Sequence, residues 1–262
     1  MSQESAYDCV IIGASPGGLQ AAVYLCRYNR RVLVIDRGGG RTTMAKHIEN
    51  YLGQTMISGR ELIDRGIAQV RRFGGEVIKG TVTSIAKSGG IFSVDATSGN
   101  CSAPFAVAAS GGRDVLPKIS NLWQFFGSGF FTCVDCDGYA TINRKLLVLG
   151  NSDAAVRLAL AVRDMYTPHV TLLMTGYLPP APSLEALSDA AIRFESGVPK
   201  HIAGQGHIEG LGLDDGRVLA CDAILSNYGF EANVAYLQEL DPKKDAHGRS
   251  FVVNHHNESS VG

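Results

Sequence analysis

Two apolar runs that each stop at a glycine, and then give way to a helical pattern and a second apolar run, constrain this chain more than any other feature. The first is 7-YDCVII-12, then 13-GASPGG-18, the helical stretch 19-LQAAVYLCRYNR-30 and 32-VLVID-36. The second is 145-KLLVLG-150, the helical stretch 152-SDAAVRLALAVRDM-165 and 169-HVTLLM-174. Strands that read as unbroken apolar runs are buried on both faces, and strand–helix–strand repeats of this kind build parallel sheets. Two such openings in 262 residues imply an α/β chain with two Rossmann-like nucleotide-binding domains. Between them, 58-SGRELIDRGIAQVRRFGG-75 predicts a helix, with Ser58 as N-cap and Gly74 as its stop. Strands are expected at 76-EVIKG-80, 81-TVTSIAK-87, 91-IFSVDA-96 and 105-FAVAAS-110, with 177-YLPPAPS-183 as a connector.

The first glycine turn has the spacing of a dinucleotide fingerprint, with serine in place of the middle glycine. Gly13 permits the tight turn and Gly18 lets helix and strand approach, so that the helix N-terminus can face a pyrophosphate. Asp36, closing the next strand, stands where an acid accepts hydrogen bonds from a ribose hydroxyl. The second turn, 150-GNSDAA-155, is poorer: Ser152 replaces the middle glycine and Ala155 the last. The following strand ends in 172-LLMTGYLPP-180, with neither an acid for a ribose nor an arginine for a 2′-phosphate. That half is expected to keep the fold without binding a nicotinamide cofactor.

The stretch 133-CVDCDG-138 carries a Cys-x-x-Cys pair next to an acid. A structural zinc site needs two further ligands, and only His255-His256 offers any. A silent buried pair is the other alternative. Two residues between the sulfurs suit redox exchange, and Asp137 can carry protons to and from leaving thiolates, so redox chemistry is the preferred reading. The remaining cysteines, Cys9, Cys26, Cys101 and Cys221, lie among apolar neighbours and read as reduced and structural. A net charge of −1 gives no reason to expect nucleic acid or an anionic membrane as partner. A polar, acidic start and the lack of a long apolar run make a soluble cytoplasmic protein the expectation.

Taken in order, 13-GASPGG-18, 39-GGRTTMAKHIENYLG-53, 108-AASGG-112 and 133-CVDCDG-138 resemble the low-molecular-weight thioredoxin reductases, a family of FAD-dependent disulfide reductases. The resemblance implies that the second nucleotide-type domain is inserted in the first, both being three-layer ββα folds. Residues 1–115 would start the FAD domain, 116–243 would form the insert, and 244–262 would return to the first. It further implies that Gly13, Ser15, Pro16, Gly17, Gly18 and Asp36 hold the FAD pyrophosphate and adenosine ribose. Gly40, Arg41 and Asn50 would lie along flavin and ribityl, Val82 against the adenine, and Ala109 and Gly111 in the turn that completes the site. By the same resemblance Cys136 is the flavin-side thiol, Cys133 attacks the partner disulfide, and Asp137 is the acid–base group.

The family's NADPH-reading segment is replaced here by 173-LMTG-176, which resembles the branch that does not use NADPH, including ferredoxin-dependent members. A thioredoxin-like protein would be the acceptor, ferredoxin a donor, and a homodimer the assembly. Arg41 stands where the family has a glutamine. The chain stops at 259-SSVG-262, where the family continues into a final strand, a Gly-Asp pair and a closing helix. Two other readings stand beside the reductase: a dithiol oxidase passing electrons to oxygen, and a shortened homologue without flavin.

Overall fold

The computed structural model describes residues 6–248 and 250–261, and in it the chain forms two compact units. Unit 1 takes residues up to His47, Met56–Arg113 and the chain from Ala232 onward; unit 2 takes Ile48–Thr55 and Asp114–Glu231. Unit 2 is thus inserted in unit 1.

In unit 1, β1 (Cys9–Ile12), α1 (Pro16–Arg27), β2 (Val32–Asp36), α2 (Arg41–Met44), α3 (Gly59–Arg72) and β3 (Glu76–Lys79) follow in order. Then come β4 (Val82–Ser88), β5 (Ile91–Ala96), β6 (Cys101–Ala103) and β7 (Phe105–Ala108). A parallel sheet of order β3-β2-β1-β7 forms the middle layer. Alternate residues of its central strands serve opposite faces. Cys9, Ile11, Val32 and Val34 pack with Leu19, Ala22 and Val23 of α1 and with Ile63 and Val70 of α3. Val10, Ile12, Leu33 and Ile35 pack with Ile85, Phe92 and Val94 of the antiparallel sheet β4-β5-β6. That is the ββα layering which the family resemblance implies.

The chain passes from unit 1 to unit 2 through β8 (Gly112–Asp114). Unit 2 contains α4 (Leu122–Phe125), β9 (Phe130–Phe131), α5 (Val134–Asp137), β10 (Leu146–Gly150), α6 (Asp153–Met165), β11 (Val170–Met174) and α7 (Ala181–Asp189). It continues with β12 (Arg193–Ser196), β13 (Pro199–Ala203), β14 (Gly210–Leu213), β15 (Val218–Ala220) and β16 (Ala223–Asn227), and the chain leaves through β17 (Phe230–Ala232). The parallel sheet has order β12-β11-β10-β16-β9, with β13-β14-β15 as a separate antiparallel sheet. Leu146, Val148, Leu172 and Met174 face α6, whereas Leu147, Leu149 and Leu173 pack with Ile202, Leu211 and Leu219 of the antiparallel sheet. The layering of unit 1 is repeated.

Four local readings differ from the sequence expectation. Helix α1 begins at Pro16 rather than at residue 19, because proline fits the first helical position, and it ends before Asn29, whose φ is +60°. The stretch at 177–183 is not wholly a connector: α7 starts at Ala181 with Pro182 in its first turn. The return to unit 1 falls at Ala232, not 244. Tyr236 and Leu237 are buried with Val82, Ile85 and Phe92, and that apolar contact, invisible as a pattern in the sequence, draws the segment into unit 1. Finally, residues 48–55 pack with unit 2 although the chain on both sides of them belongs to unit 1.

Among the described residues, no helix is long and apolar enough to cross a membrane. The anchoring of the returning segment gives a direct expectation. Leu237→Ala should lower the stability of unit 1 by about 2–4 kcal/mol, read from urea denaturation, because the cavity opens inside a packed cluster. A loss below about 1 kcal/mol would place Leu237 outside the cooperative core.

Candidate functional site

The first glycine turn stands at the C-terminal edge of the unit 1 sheet, where β1 has β2 on one side and β7 on the other. Loops leaving such a strand diverge and open a crevice, the usual ligand position in parallel sheets. Gly13 has φ +108°, and a Cβ there would collide with the Ala109 carbonyl; a Cβ on Gly18 would collide with the Gly13 carbonyl. Backbone therefore lies where side chains would otherwise stand. Gly13 N–H donates to the Ile35 carbonyl at 2.9 Å and Ala109 N–H to the Ile12 carbonyl at 2.9 Å, which fixes both turns on the sheet.

Ser15 is the N-cap of α1, but its side chain makes no capping hydrogen bond, and Pro16 has no N–H to offer. The N–H groups of Gly17 and Gly18, in the first turn of a twelve-residue helix, are the donors left facing the loop. Asp36 accepts from Ala14 N–H at 2.9 Å through Oδ1 and from Gly38 N–H at 2.8 Å through Oδ2. A carboxylate has about four lone-pair positions, so a diol has room to donate to this already oriented acid. Gly80 N–H binds the Asp36 carbonyl at 2.9 Å and sets buried Val82 at the start of β4, close in sequence to that acid. Gly40 caps α2, and a Cβ on it would come within 3.4 Å of Ser15 Oγ; Arg41 follows it, exposed, at the first position of α2.

The 108–112 turn is held by residues that the sequence did not single out. Ser110 Oγ donates to the Asn233 carbonyl at 2.7 Å and lies 2.9 Å from the Tyr236 hydroxyl, while Asn233 Nδ2 donates to the Ser110 carbonyl at 3.0 Å. Asn233 N–H also binds the Gly111 carbonyl at 2.9 Å. Burial pushes the Tyr236 phenol up, and the Ser110 bond partly opposes this. The returning segment therefore fastens the turn that carries Ala109 and Gly111, across more than a hundred residues of chain. No short motif announces such a bond.

Cys133 and Cys136 form a disulfide in unit 2, with Cα atoms 5.3 Å apart. Cys133 caps the single-turn helix α5, and its Sγ accepts the Cys136 N–H at 3.2 Å. Asp137 N–H binds the Cys133 carbonyl at 3.0 Å, so the acid is fixed one residue beyond the disulfide. Cys136 is exposed and Cys133 and Asp137 are half-buried. Asn50, expected beside a flavin, is found in unit 2, donating through Nδ2 to the Asp135 carbonyl at 3.2 Å. The neighbouring Glu49 accepts from the Tyr139 hydroxyl at 2.7 Å and pushes that phenol up.

The second glycine turn leads into α6 with Asp153 at its first position. Asp153 Oδ1 is buried without a hydrogen-bond partner, and the carboxylate is close enough to Tyr177 to push its phenol up. A negative charge in the first turn satisfies the helix dipole from within, where a pyrophosphate would otherwise do so. At the end of β11, Thr175 Oγ1 lies 2.8 Å from the Tyr228 hydroxyl and donates to the Gly197 carbonyl at 3.1 Å. Beside this strand end Arg217 Nη2 donates to the Ser196 carbonyl at 2.6 Å, and the same guanidinium is paired with Glu195 and Asp215.

The four remaining cysteines are free thiols. Burial pushes Cys9 up to about 11 and Cys221 up to about 12, with the nearby Asp8 and Asp222 adding to it. In the unfolded chain both ionise near 9.0, so the unfolded state loses their protons first and stability falls as pH rises above that value. The contribution is complete below pH 9 and declines by about 1.4 kcal/mol per pH unit per thiol until the folded thiols ionise. The expected observation is a steep loss of urea stability between pH 9 and 11 that becomes shallower in Cys9→Ala/Cys221→Ala. Equal slopes in the two proteins would remove the thiols as its cause.

Comparison with known proteins adds five observations. The family described as pyridine nucleotide-disulphide oxidoreductase matches residues 7–262. Thioredoxin reductase of Treponema pallidum (strain Nichols) is 34% identical over 173 residues, 65% of this chain and 56% of that protein. Thioredoxin reductase of Bacillus subtilis (strain 168) is 34% identical over 158 residues, 60% of this chain and 50% of that protein. The chain thus spans about half the length of the curated relatives it matches. The crystal structure of HlmI superposes with a TM-score of 0.91 at 28% identity, over 100% of this chain and 83% of that one. Thioredoxin reductase from Streptococcus pyogenes MGAS5005 superposes with a TM-score of 0.88 at 25% identity, over 97% of this chain and 86% of that one.

Proposed function

We propose, for a chain that belongs to the pyridine nucleotide-disulphide oxidoreductase family, that it moves two electrons between FAD and a protein disulfide through Cys133 and Cys136. The observation that carries this is the disulfide itself: a short pair at a helix cap, next to a fixed acid, in a chain whose other unit builds a glycine cradle.

The residues of unit 1 fit FAD. Its pyrophosphate suits the N–H groups of Gly17 and Gly18 behind Gly13, Ser15 and Pro16, and its adenosine ribose suits the free lone pairs of Asp36. Val82 would flank the adenine, Gly40 and Arg41 the ribityl side, and Ala109 and Gly111 the opposite wall. Bound there, the flavin supplies a two-electron reductant for the disulfide.

The steps that follow belong to the chain. Reduction leaves two thiols, and the Cys136 N–H that lies on Cys133 Sγ stabilises a thiolate at Cys133. That thiolate attacks one sulfur of the acceptor disulfide; the mixed disulfide forms and the expelled sulfur takes a proton from Asp137. Cys136, deprotonated by the same acid in its basic form, then attacks Cys133 Sγ and releases the second acceptor thiol. A thioredoxin-like protein fits as the acceptor, since relatives of this sequence are thioredoxin reductases. The enzyme is read as a cytoplasmic homodimer.

A donor other than NADPH is part of the proposal. Asp153 occupies the first turn of α6 with a charge that repels a pyrophosphate, and Arg217, whose guanidinium lies beside the end of β11, is already held by Glu195, Asp215 and the Ser196 carbonyl. Reduced ferredoxin is the donor proposed. The test is anaerobic: the FAD-loaded protein is mixed in turn with reduced ferredoxin, NADPH and NADH while the visible flavin band is followed. Bleaching by ferredoxin but not by the nicotinamides is expected, and rapid bleaching by NADPH would overturn the donor assignment. Peroxide formation that depends on a small dithiol would point instead to an oxidase. Cys136→Ser should keep flavin and lose reduction of a thioredoxin disulfide; unchanged turnover would remove Cys136 from the mechanism.

A further inference from the structure

Residues 48–55 leave unit 1 and pack with unit 2, and the two residues that bracket this excursion touch each other: His47 Nδ1 lies 3.2 Å from Met56 Sδ. The excursion is therefore a loop closed at its base, with a turn at Tyr51 where Gln54 N–H binds the Tyr51 carbonyl at 3.0 Å. A loop whose ends are already joined loses less freedom when it makes contacts farther out. Two of its hydrogen bonds fall on either side of Cys136. Asn50 Nδ2 donates to the carbonyl of Asp135, the residue before that cysteine, and Glu49 accepts from the hydroxyl of Tyr139, three residues after it.

From this we infer that the 48–55 segment is a strap that positions the Cys133–Cys136 turn, with Glu49 and Asn50 as positioning residues anchored at the Tyr139 hydroxyl and the Asp135 carbonyl respectively. The inference rests on the proposed role of this disulfide. Neither contact covers a sulfur: Cys136 stays exposed between the two anchor points. The strap fixes the backbone that carries the sulfurs and leaves the sulfurs open to attack. Stability of a disulfide against its dithiol follows the effective concentration of one thiol at the other, and that rises as the turn between them is held still. One anchor inside the four-residue ring, at Asp135, and one just beyond it, at Tyr139, thus favour the oxidised pair. The Glu49 carboxylate is suited to this task, because a charged acceptor makes the stronger hydrogen bond to the phenol.

The redox step is a plain exchange: the disulfide takes two electrons and two protons from dithiothreitol, which closes to its cyclic disulfide. Its equilibrium constant is read by equilibrating the full protein with ratios of reduced and oxidised dithiothreitol, quenching in acid and counting maleimide-labelled thiols by mass. Tyr139→Phe and Asn50→Ala should each shift the equilibrium about threefold toward the dithiol, on the order of one hydrogen bond each. The double variant should shift it about tenfold, or about 30 mV for a two-electron couple. Glu49→Gln, which keeps an acceptor for the phenol, should stay within about twofold, a rescue that a general loss of packing would not give. Constants within twofold of the parent in both single variants and the double variant overturn the strap. If the double variant does not fold, Tyr139→Phe decides the matter alone, since it removes one oxygen from an exposed side chain. The readout needs neither flavin nor a protein acceptor. A protein without turnover therefore still reports on the strap, and an unshifted equilibrium in an active protein overturns the strap while the oxidoreductase reading stands.

Discussion

The burial of β1 and β10 on both faces is the constraint from which the rest of the structure follows. A strand covered by helices on one side and by a second sheet on the other has no solvent face along its length. Polar chemistry can then appear only where the strand ends, and at each end the chain turns on a glycine into a helix. Gly13 and Gly150 stand at these points. In unit 1 the turn is pressed so closely on the Ala109 carbonyl that only a residue without a side chain fits, which leaves bare backbone N–H groups at the crevice.

The two units answer the same architectural problem with different chemistry. Unit 1 leaves its helix N-terminus without an internal partner and places an oriented carboxylate, Asp36, at the next strand end. Unit 2 places an acid of its own, Asp153, in the first turn of α6, and closes the neighbouring strand ends through Thr175 and Tyr228. The same layering thus carries an acid in the first turn of one helix and none in the first turn of the other. The Cys133–Cys136 disulfide lies in this second unit.

Much of the site was legible in the sequence because it is local. The glycine turns, Asp36 and the Cys-x-x-Cys pair fall at fixed spacings within short strand–turn–helix segments, so spacing points to them even where their final contacts, such as Gly13 against Ala109, are remote. What escaped were bonds across long stretches of chain. Asn233 and Tyr236 fasten the turn at Ser110, and Glu49 and Asn50 reach Tyr139 and Asp135. Residues 232–243 were assigned to the wrong unit for the same reason: two apolar side chains in a short 3₁₀ turn give no periodic signal, yet they are buried in unit 1. Such contacts depend on where distant segments arrive, which the two periodicities of helix and strand do not encode.

By itself the sequence determined the alternation of strand, glycine turn and helix, hence the two α/β units. Those outcomes rest on burial periodicity and on the steric freedom of glycine, both written residue by residue. Tertiary structure alone decided that the chain returns to unit 1 at Ala232, that Asn50 bonds the Asp135 carbonyl, and that one carboxylate oxygen of Asp153 is buried at a helix start. Each of these is the meeting of groups remote in sequence or the burial of a charge by its surroundings, and neither exists until the layers have closed.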